Sequence, residues 1–302
     1  MEVFPTTVVI RIHTSNPKMR YYAVFLLAAL STSKLAAQVQ AVSVVDSITD
    51  ITEIGGSIGS HELVLFRADG TYQDIISEGN GPEQPTQTSA PSSGTYSFSA
   101  TQYMLADGSY QTRGTIAWTK SNTPRNPAYL NFETPTSGNT GGGRFTIYPR
   151  IVITGAANVS NNSWISASHP SMPGFVIEGS NPRWVLIRGD GPSLAPFNVS
   201  NPIANPSITL SGNVTVGVNV RAISTNSGPT VTNVVNPWTI DPNLVPGLQS
   251  IFSLAGAFQF TSGSSDCAGL VLLEPGAYVI QGATSSSGGQ LLTEVYVLPY
   301  GS

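Results

Sequence analysis

Apolar and polar residues alternate along the first half of the chain in short runs. Leu63 and Leu65, then Tyr72, Asp74 and Ile76, then Tyr96 and Phe98, then Ile116 and Trp118 fall at every second position, the spacing that puts side chains on one face of a strand. A repeated phrase punctuates these runs: Asp69-Gly70-Thr71-Tyr72, Ser93-Gly94-Thr95-Tyr96 and Asp107-Gly108-Ser109-Tyr110, with a shorter echo at Gly114-Thr115-Ile116. Asp-Gly and Ser-Gly suit the positive-φ positions of tight turns, and the β-branched and aromatic residues that follow open strands. The pattern predicts an antiparallel meander, or partly closed barrel, from about Glu62 to Tyr148. The segment from Ser77 to Ser93 has no periodicity and holds three prolines, so a long loop is expected there.

The second half carries further strand-like runs at Gly174 to Gly179, Trp184 to Arg188, Cys267 to Leu273, Tyr278 to Gln281 and Gln290 to Leu298. In the last of these, Leu291, Thr293, Val295 and Val297 share one face and Leu292, Glu294, Tyr296 and Leu298 the other, so both sides are expected to be covered. Glu274-Pro275-Gly276 and Ser285 to Gly289 read as turns, which predicts three consecutive hairpin strands at the end of the chain. Gly212 to Leu254, with Pro229, Pro237, Pro242 and Pro246, reads as turn-rich. The boundary between the halves is expected between Pro149 and Ser163, where Asn, Ser and Gly accumulate.

Several phrases of this half occur together in a characteristic order. They are GFVIEGSNPRWVLIRGDGPSLAPFNVSN (residues 174–201), ANPSITL (204–210), Ser265-Asp266-Cys267-Ala268, Glu274-Pro275-Gly276-Ala277-Tyr278 and Thr293-Glu294-Val295-Tyr296. From Gly174 to Leu298 the chain resembles a β-sandwich module found at the ends of secreted bacterial proteins. The resemblance implies a sandwich fold and an extracytoplasmic location, and no chemistry. The family pattern has an apolar residue where Asp190 stands, and the Gly212 to Leu254 stretch replaces its compact polar segment. The first half shares turn and strand vocabulary with exported β-rich proteins of environmental bacteria. The expected fold class is therefore all-β, an antiparallel meander or partly closed barrel (38–150) followed by a β-sandwich (151–302), after a leader (1–37).

The leader reading rests on Met19 to Ala37. Arg11, Lys18 and Arg20 precede an apolar run from Tyr21 to Leu30, and small residues follow at Ala36 and Ala37, the layout of a secretory signal peptide. That run is too short for a permanent bilayer span, so none is expected once the leader is removed. Loss of Arg11, Lys18, Arg20, Lys34 and Glu2 takes the formal charge from -4 to about -7. Only 10% of residues are charged, against about 25% in an ordinary soluble domain. No basic field exists to gather nucleic acid. Cys267 is the single cysteine, which excludes an intramolecular disulfide; within an apolar run it reads as a buried small hydrophobe.

Candidate chemistry is sparse. Past the leader the imidazoles are His61 and His169, too few for an ordinary zinc site, and His169 in Ser168-His169-Pro170-Ser171 reads as a loop residue. Asp69 and Asp107 lack the acidic spacing of a calcium loop and read as turn residues. Glu178, Asp190, Asp266, Glu274 and Glu294 are acids beside turns or on strands, with Arg183 and Arg188 as partners, and the sequence singles out no catalytic pair. Arg188-Gly189-Asp190 spells an adhesive tripeptide, but its Gly-Pro context reads as a turn capped by the Asp. Trp118, Trp164 and Trp238 are candidate sugar-stacking platforms, and Trp184 reads as core. Tyr72, Tyr96, Phe98, Tyr110, Trp118, Phe132 and Phe145 would either fill the first half or line a cavity for a small apolar ligand. The expectation is a secreted or cell-envelope protein with a non-catalytic structural, adhesive or display role. Its expected partner is a cell-surface or extracellular polymer, with no cofactor, catalytic residue or metal site assigned and the oligomeric state open. Binding of a small apolar ligand or carbohydrate is the alternative, and a secreted hydrolase comes third.

Overall fold

The computed structural model describes residues 41–53, 60–79, 92–120, 123–151, 153, 157–212, 214–218, 220–223, 231–234, 245–285 and 287–301. The leader, most of the loop expected after Ser77, and Trp238 lie outside these residues. The described residues belong to one compact unit, Val39–Ser302. No helix among them is long and apolar enough to cross a membrane.

The first nine strands are β1 (Ser47–Glu53), β2 (Ser60–Phe66), β3 (Thr71–Gly79), β4 (Ser93–Met104), β5 (Tyr110–Lys120), β6 (Thr123–Pro124), β7 (Ala128–Thr134), β8 (Ser137–Asn139) and β9 (Gly143–Pro149). Eight of them close an antiparallel barrel in the order β4-β3-β2-β1-β9-β8-β7-β5, with β5 pairing back onto β4 and the short β6 hanging from β5. The barrel is thus fully closed, and it starts earlier than the apolar pattern predicts. β1 supplies the closing pair Ile48↔Tyr148, but its buried positions include Ser47 and Thr49, whose hydroxyls bond to each other (3.1 Å), with Ser47 also donating to the Val44 carbonyl (2.6 Å). Polar residues satisfied in this way hide the strand from a hydrophobicity reading.

Two of the Asp-Gly phrases are turns. Gly70 and Gly108 both have φ of +81°, and the Asp69 and Asp107 carboxylates accept from the Thr71 and Ser109 amides at 2.9 Å. The Thr71 and Ser109 hydroxyls also donate to these carboxylates, and the hydroxyl bonds first, then the amide bonds, hold both carboxyls below their usual range. The Ser93-Gly94 and Gly114-Thr115 phrases, by contrast, lie inside β4 and β5. Their glycines are there for space. A Cβ at Gly94 would lie 1.8 Å from the Thr119 carbonyl oxygen, and one at Gly114 would lie 2.6 Å from the Phe98 ring and 2.8 Å from that of Phe132.

Aromatic side chains fill the barrel. Phe66 meets Tyr96 edge-on at 4.7 Å, Tyr72 lies 5.4 Å from Trp118, and Phe132 meets Phe145 at 5.0 Å. Tyr72, Tyr96, Trp118, Phe132 and Phe145 form one buried cluster, with Phe98 packed against it. Tyr110 is 59% exposed and does not join them.

The remaining strands are β10 (Asn158–Ile165), β11 (Gly174–Ile177), β12 (Arg183–Asp190), β13 (Ser207–Ser211), β14 (Val214–Val218), β15 (Val220–Ile223), β16 (Val231–Val234), β17 (Cys267–Leu273), β18 (Gly276–Ala283) and β19 (Gly289–Gly301). They form two antiparallel five-stranded sheets, β10-β19-β12-β17-β14 and β11-β18-β13-β16-β15. The expected run of terminal hairpins is not found. β17 and β19 flank β12 in the first sheet, while β18 lies in the second. Burial gives the reason: every residue of β17 is buried, whereas β18 alternates between buried and exposed, so the chain changes sheet at Pro275-Gly276.

One face of the first sheet shares a buried cluster with the second sheet, including Val185, Ile187, Val271 and Val295 from the former and Ile208, Leu210, Tyr278 and Ile280 from the latter. Its opposite face shares a second cluster with the outside of the barrel and with a helix, α1 (Val245–Ala255). The helix falls within the stretch read as turn-rich. Pro246 is tolerated in its first turn, and Leu248, Ile251 and Phe252 form its buried stripe. Gly247 lets it approach the barrel, because a Cβ there would lie 2.6 Å from the Ile75 carbonyl oxygen. Tyr148 of β9 rests edge-on against Trp184 of β12 at 5.6 Å.

Candidate functional site

Charged groups converge where the first sheet meets the segment after α1. Arg188 and Asp190 are two residues apart on β12 and so emerge on one face, while strand pairing places Glu294 of β19 opposite Arg188 on one side and the small Ala268 of β17 on the other. Arg188 and Asp190 are completely buried and Glu294 nearly so. Arg188 Nε lies 3.3 Å from Asp190 Oδ1 and 3.4 Å from Glu294 Oε2, and Nη2 lies 3.2 Å from Asp190 Oδ2. Nη1 donates to the Phe258 carbonyl at 2.9 Å. The rings of Phe252, Phe258 and Phe260 surround the guanidinium, with centroids 4.6, 4.2 and 4.3 Å from its carbon. Aromatic faces stabilise a desolvated cation in this geometry.

One guanidinium faces two carboxyls. Burial pushes the Asp190 carboxyl well above its usual range, Arg188 pulls it down, and the Glu294 and Asp266 charges raise it further. The Tyr296 hydroxyl donates to Glu294 Oε1 at 2.7 Å, and burial together with that carboxylate pushes the phenol up.

Asp266, also fully buried, precedes β17. It accepts from the Gly191 amide at 2.5 Å, the Ser193 amide at 3.2 Å and the Ser193 hydroxyl. The Ser193 hydroxyl in turn accepts from the Thr261 amide at 2.8 Å. These bonds fasten the Gly191-Pro192-Ser193 turn, which opens a 3₁₀ helix at Pro192–Phe197, to the segment behind α1. Satisfying backbone donors in this way offsets the cost of burying the carboxylate.

Of the five acids the sequence offers, the structure brings Asp190, Glu294 and Asp266 together, and it buries them. The Asp190 carboxylate accepts from Arg188 rather than capping the backbone of a turn, and Arg188-Gly189-Asp190 presents no adhesive tripeptide, because both charged side chains are fully enclosed. Asp266 and Glu294 are likewise buried rather than solvated. Arg188 is the partner of Asp190 and Glu294, as its expected pairing with these acids suggests. Glu178 is exposed and outside the cluster. Cys267 is buried, with its thiol pushed up by burial. The nearness of Phe252, Phe258 and Phe260 to Arg188 had no local signal, since they lie more than sixty residues away.

The other candidates fall elsewhere. His169 is exposed, and its Nδ1 lies 2.8 Å from the Ser168 hydroxyl and 3.3 Å from that of Ser166, all within one turn. The side chain of His61 lies outside the described residues. Trp184 is core, Trp118 is buried in the barrel, and Trp164 is 58% exposed. No group of three or more His, Cys, Asp or Glu among the described residues is arranged to hold a metal ion.

A smaller polar cluster unread from the sequence lies at the barrel wall. The Ser92 amide and hydroxyl bond to Asp74 Oδ2. Arg125 lies 3.8 Å from Asp74 and 3.6 Å from Glu62, with its guanidinium 4.0 Å above the Trp118 ring. Burial raises the Asp74 carboxyl, against the pull of Ser92 and Arg125. No family model matches the chain, and no curated protein matches it either.

Proposed function

We propose that this is an exported protein of the cell envelope or extracellular space with a non-catalytic structural, adhesive or display role, in which the two five-stranded sheets form a β-sandwich module of the kind found at the ends of secreted bacterial proteins. The observation that carries this reading is the enclosure of the Arg188 cluster. Its charged groups are spent on one another, on backbone groups and on aromatic rings, and they hold layers together where a catalytic acid would need access to substrate. The cluster shared by both sheets supports the sandwich assignment. The layout of Met19 to Ala37 supports export.

Fractionation with sequencing of the mature N-terminus tests the reading. The protein is expected in envelope or culture-fluid fractions, beginning after the Ala36-Ala37 region, and a polysaccharide and lipid panel then separates adhesion from scaffolding. Recovery from the cytoplasm with residues 1–37 intact overturns the export assignment.

A further inference from the structure

Among the described residues β10 is the edge strand of the first sheet, paired to β19 over Asn158↔Tyr296 to Ile165↔Gly289 and to no other strand. Its first five residues, Asn158 to Asn162, are all exposed, so both faces of the strand stand clear of the neighbouring layers. Its sequence, NVSNNSWI, has no charge, proline or glycine. A long edge strand is ordinarily protected by a lysine, a proline or a bulge, because its free amides and carbonyls template pairing with another chain. β10 carries no such charge or proline and adds the exposed apolar surface of Val159 and Trp164.

We propose that β10 pairs antiparallel with β10 of a second copy of this chain, joining two five-stranded sheets into one across a two-fold axis. Self-complementarity selects this occupant: the strand is uncharged, and its central Asn161 and Asn162 carry amides that both donate and accept, so each can bond to its own copy. The chain is net negative, -4 overall, so two copies repel across most contacts, and an uncharged strand gives them an edge at which no like charges meet. Symmetry restricts the register. A two-fold axis normal to the sheet maps each face onto itself, so each residue must face one of the same parity. The axis near the strand centre therefore passes beside Asn161 or Asn162, whose amide side chains meet their own counterparts and can bond across the seam.

Sedimentation velocity of the full chain over a range of concentrations tests this, together with two sets of variants. Wild type is expected to show a reversible monomer–dimer equilibrium. Asn161→Lys combined with Asn162→Lys places like charges across the seam in either register, on exposed positions, and is expected to weaken the dimer about tenfold or more, with an unchanged thermal unfolding curve at concentrations where both chains are monomeric. Asn161→Cys or Asn162→Cys is expected to give a disulfide-linked dimer under mild oxidation, because cross-strand partners lie within disulfide reach and Cys267 is buried. A chain that stays monomeric throughout overturns the proposal. So does a dimer that keeps its affinity in the double lysine variant, or one that neither cysteine variant cross-links.

Discussion

Arg188 and Asp190 meet at 3.2 Å in a region fully closed to solvent, although they flank Gly189 in a tripeptide whose context reads as a turn. A buried pair of this kind tolerates the loss of a partner poorly, because the remaining charge keeps its desolvation cost.

Arg188→Met is therefore expected to destabilise the fold by about 3–5 kcal/mol, measured as a lower midpoint in urea with an unchanged slope. Adding Asp190→Asn and Glu294→Gln removes the orphaned carboxylates and should recover part of the loss. A single Arg188→Met variant as stable as wild type would refute the account of the cluster.

The raised Asp190 carboxyl also predicts a pH trend. A carboxyl whose folded value exceeds its unfolded value of about 3.9 binds more protons in the folded chain. Its contribution is fully present below the unfolded value and is lost as pH rises through the folded one. Denaturant midpoints measured upward from about pH 4 should show this decline, and Asp190→Asn should flatten it. Asp69 and Asp107 act in the opposite sense on acidification, since their turn bonds lower their carboxyls.

Cys267 gives a probe of opening. Burial raises its thiol and encloses it, so a thiol reagent at neutral pH should react slowly with the folded chain and rapidly in denaturant. Fast stoichiometric labelling of the native protein would contradict the packing of β17.

Gly114→Ala tests the filled barrel. The added methyl meets the Phe98 and Phe132 rings at 2.6 and 2.8 Å, an overpacking expected to cost about 1–3 kcal/mol and to appear as a lower melting temperature. Gly108→Ala is a useful contrast, because it meets no neighbour and its φ of +81° supplies the strain.

Much of the strand content was readable because side-chain alternation is local: Leu63 with Leu65 and Ile116 with Trp118 mark their strands directly. Burial on both faces also marked β19 as a covered strand. Pairing was not readable from such local signals. Glu274-Pro275-Gly276 looks like a hairpin turn whether the next strand returns alongside β17 or crosses to the other sheet, and the distant partners decide which. The Arg188 cluster failed to show for the same reason. Its acids were visible as residue types, but Phe258, seventy positions away in the chain, supplies both a ring and a carbonyl. α1 was obscured by the prolines near it, one of which occupies the helical position that accepts it.

Tyr148 against Trp184, with α1 packed to both the barrel and the first sheet, leaves no clean seam near residue 150. The barrel and the sheets should consequently melt in a single cooperative transition, and a fragment cut between them would carry an uncovered greasy flank that drives it to aggregate.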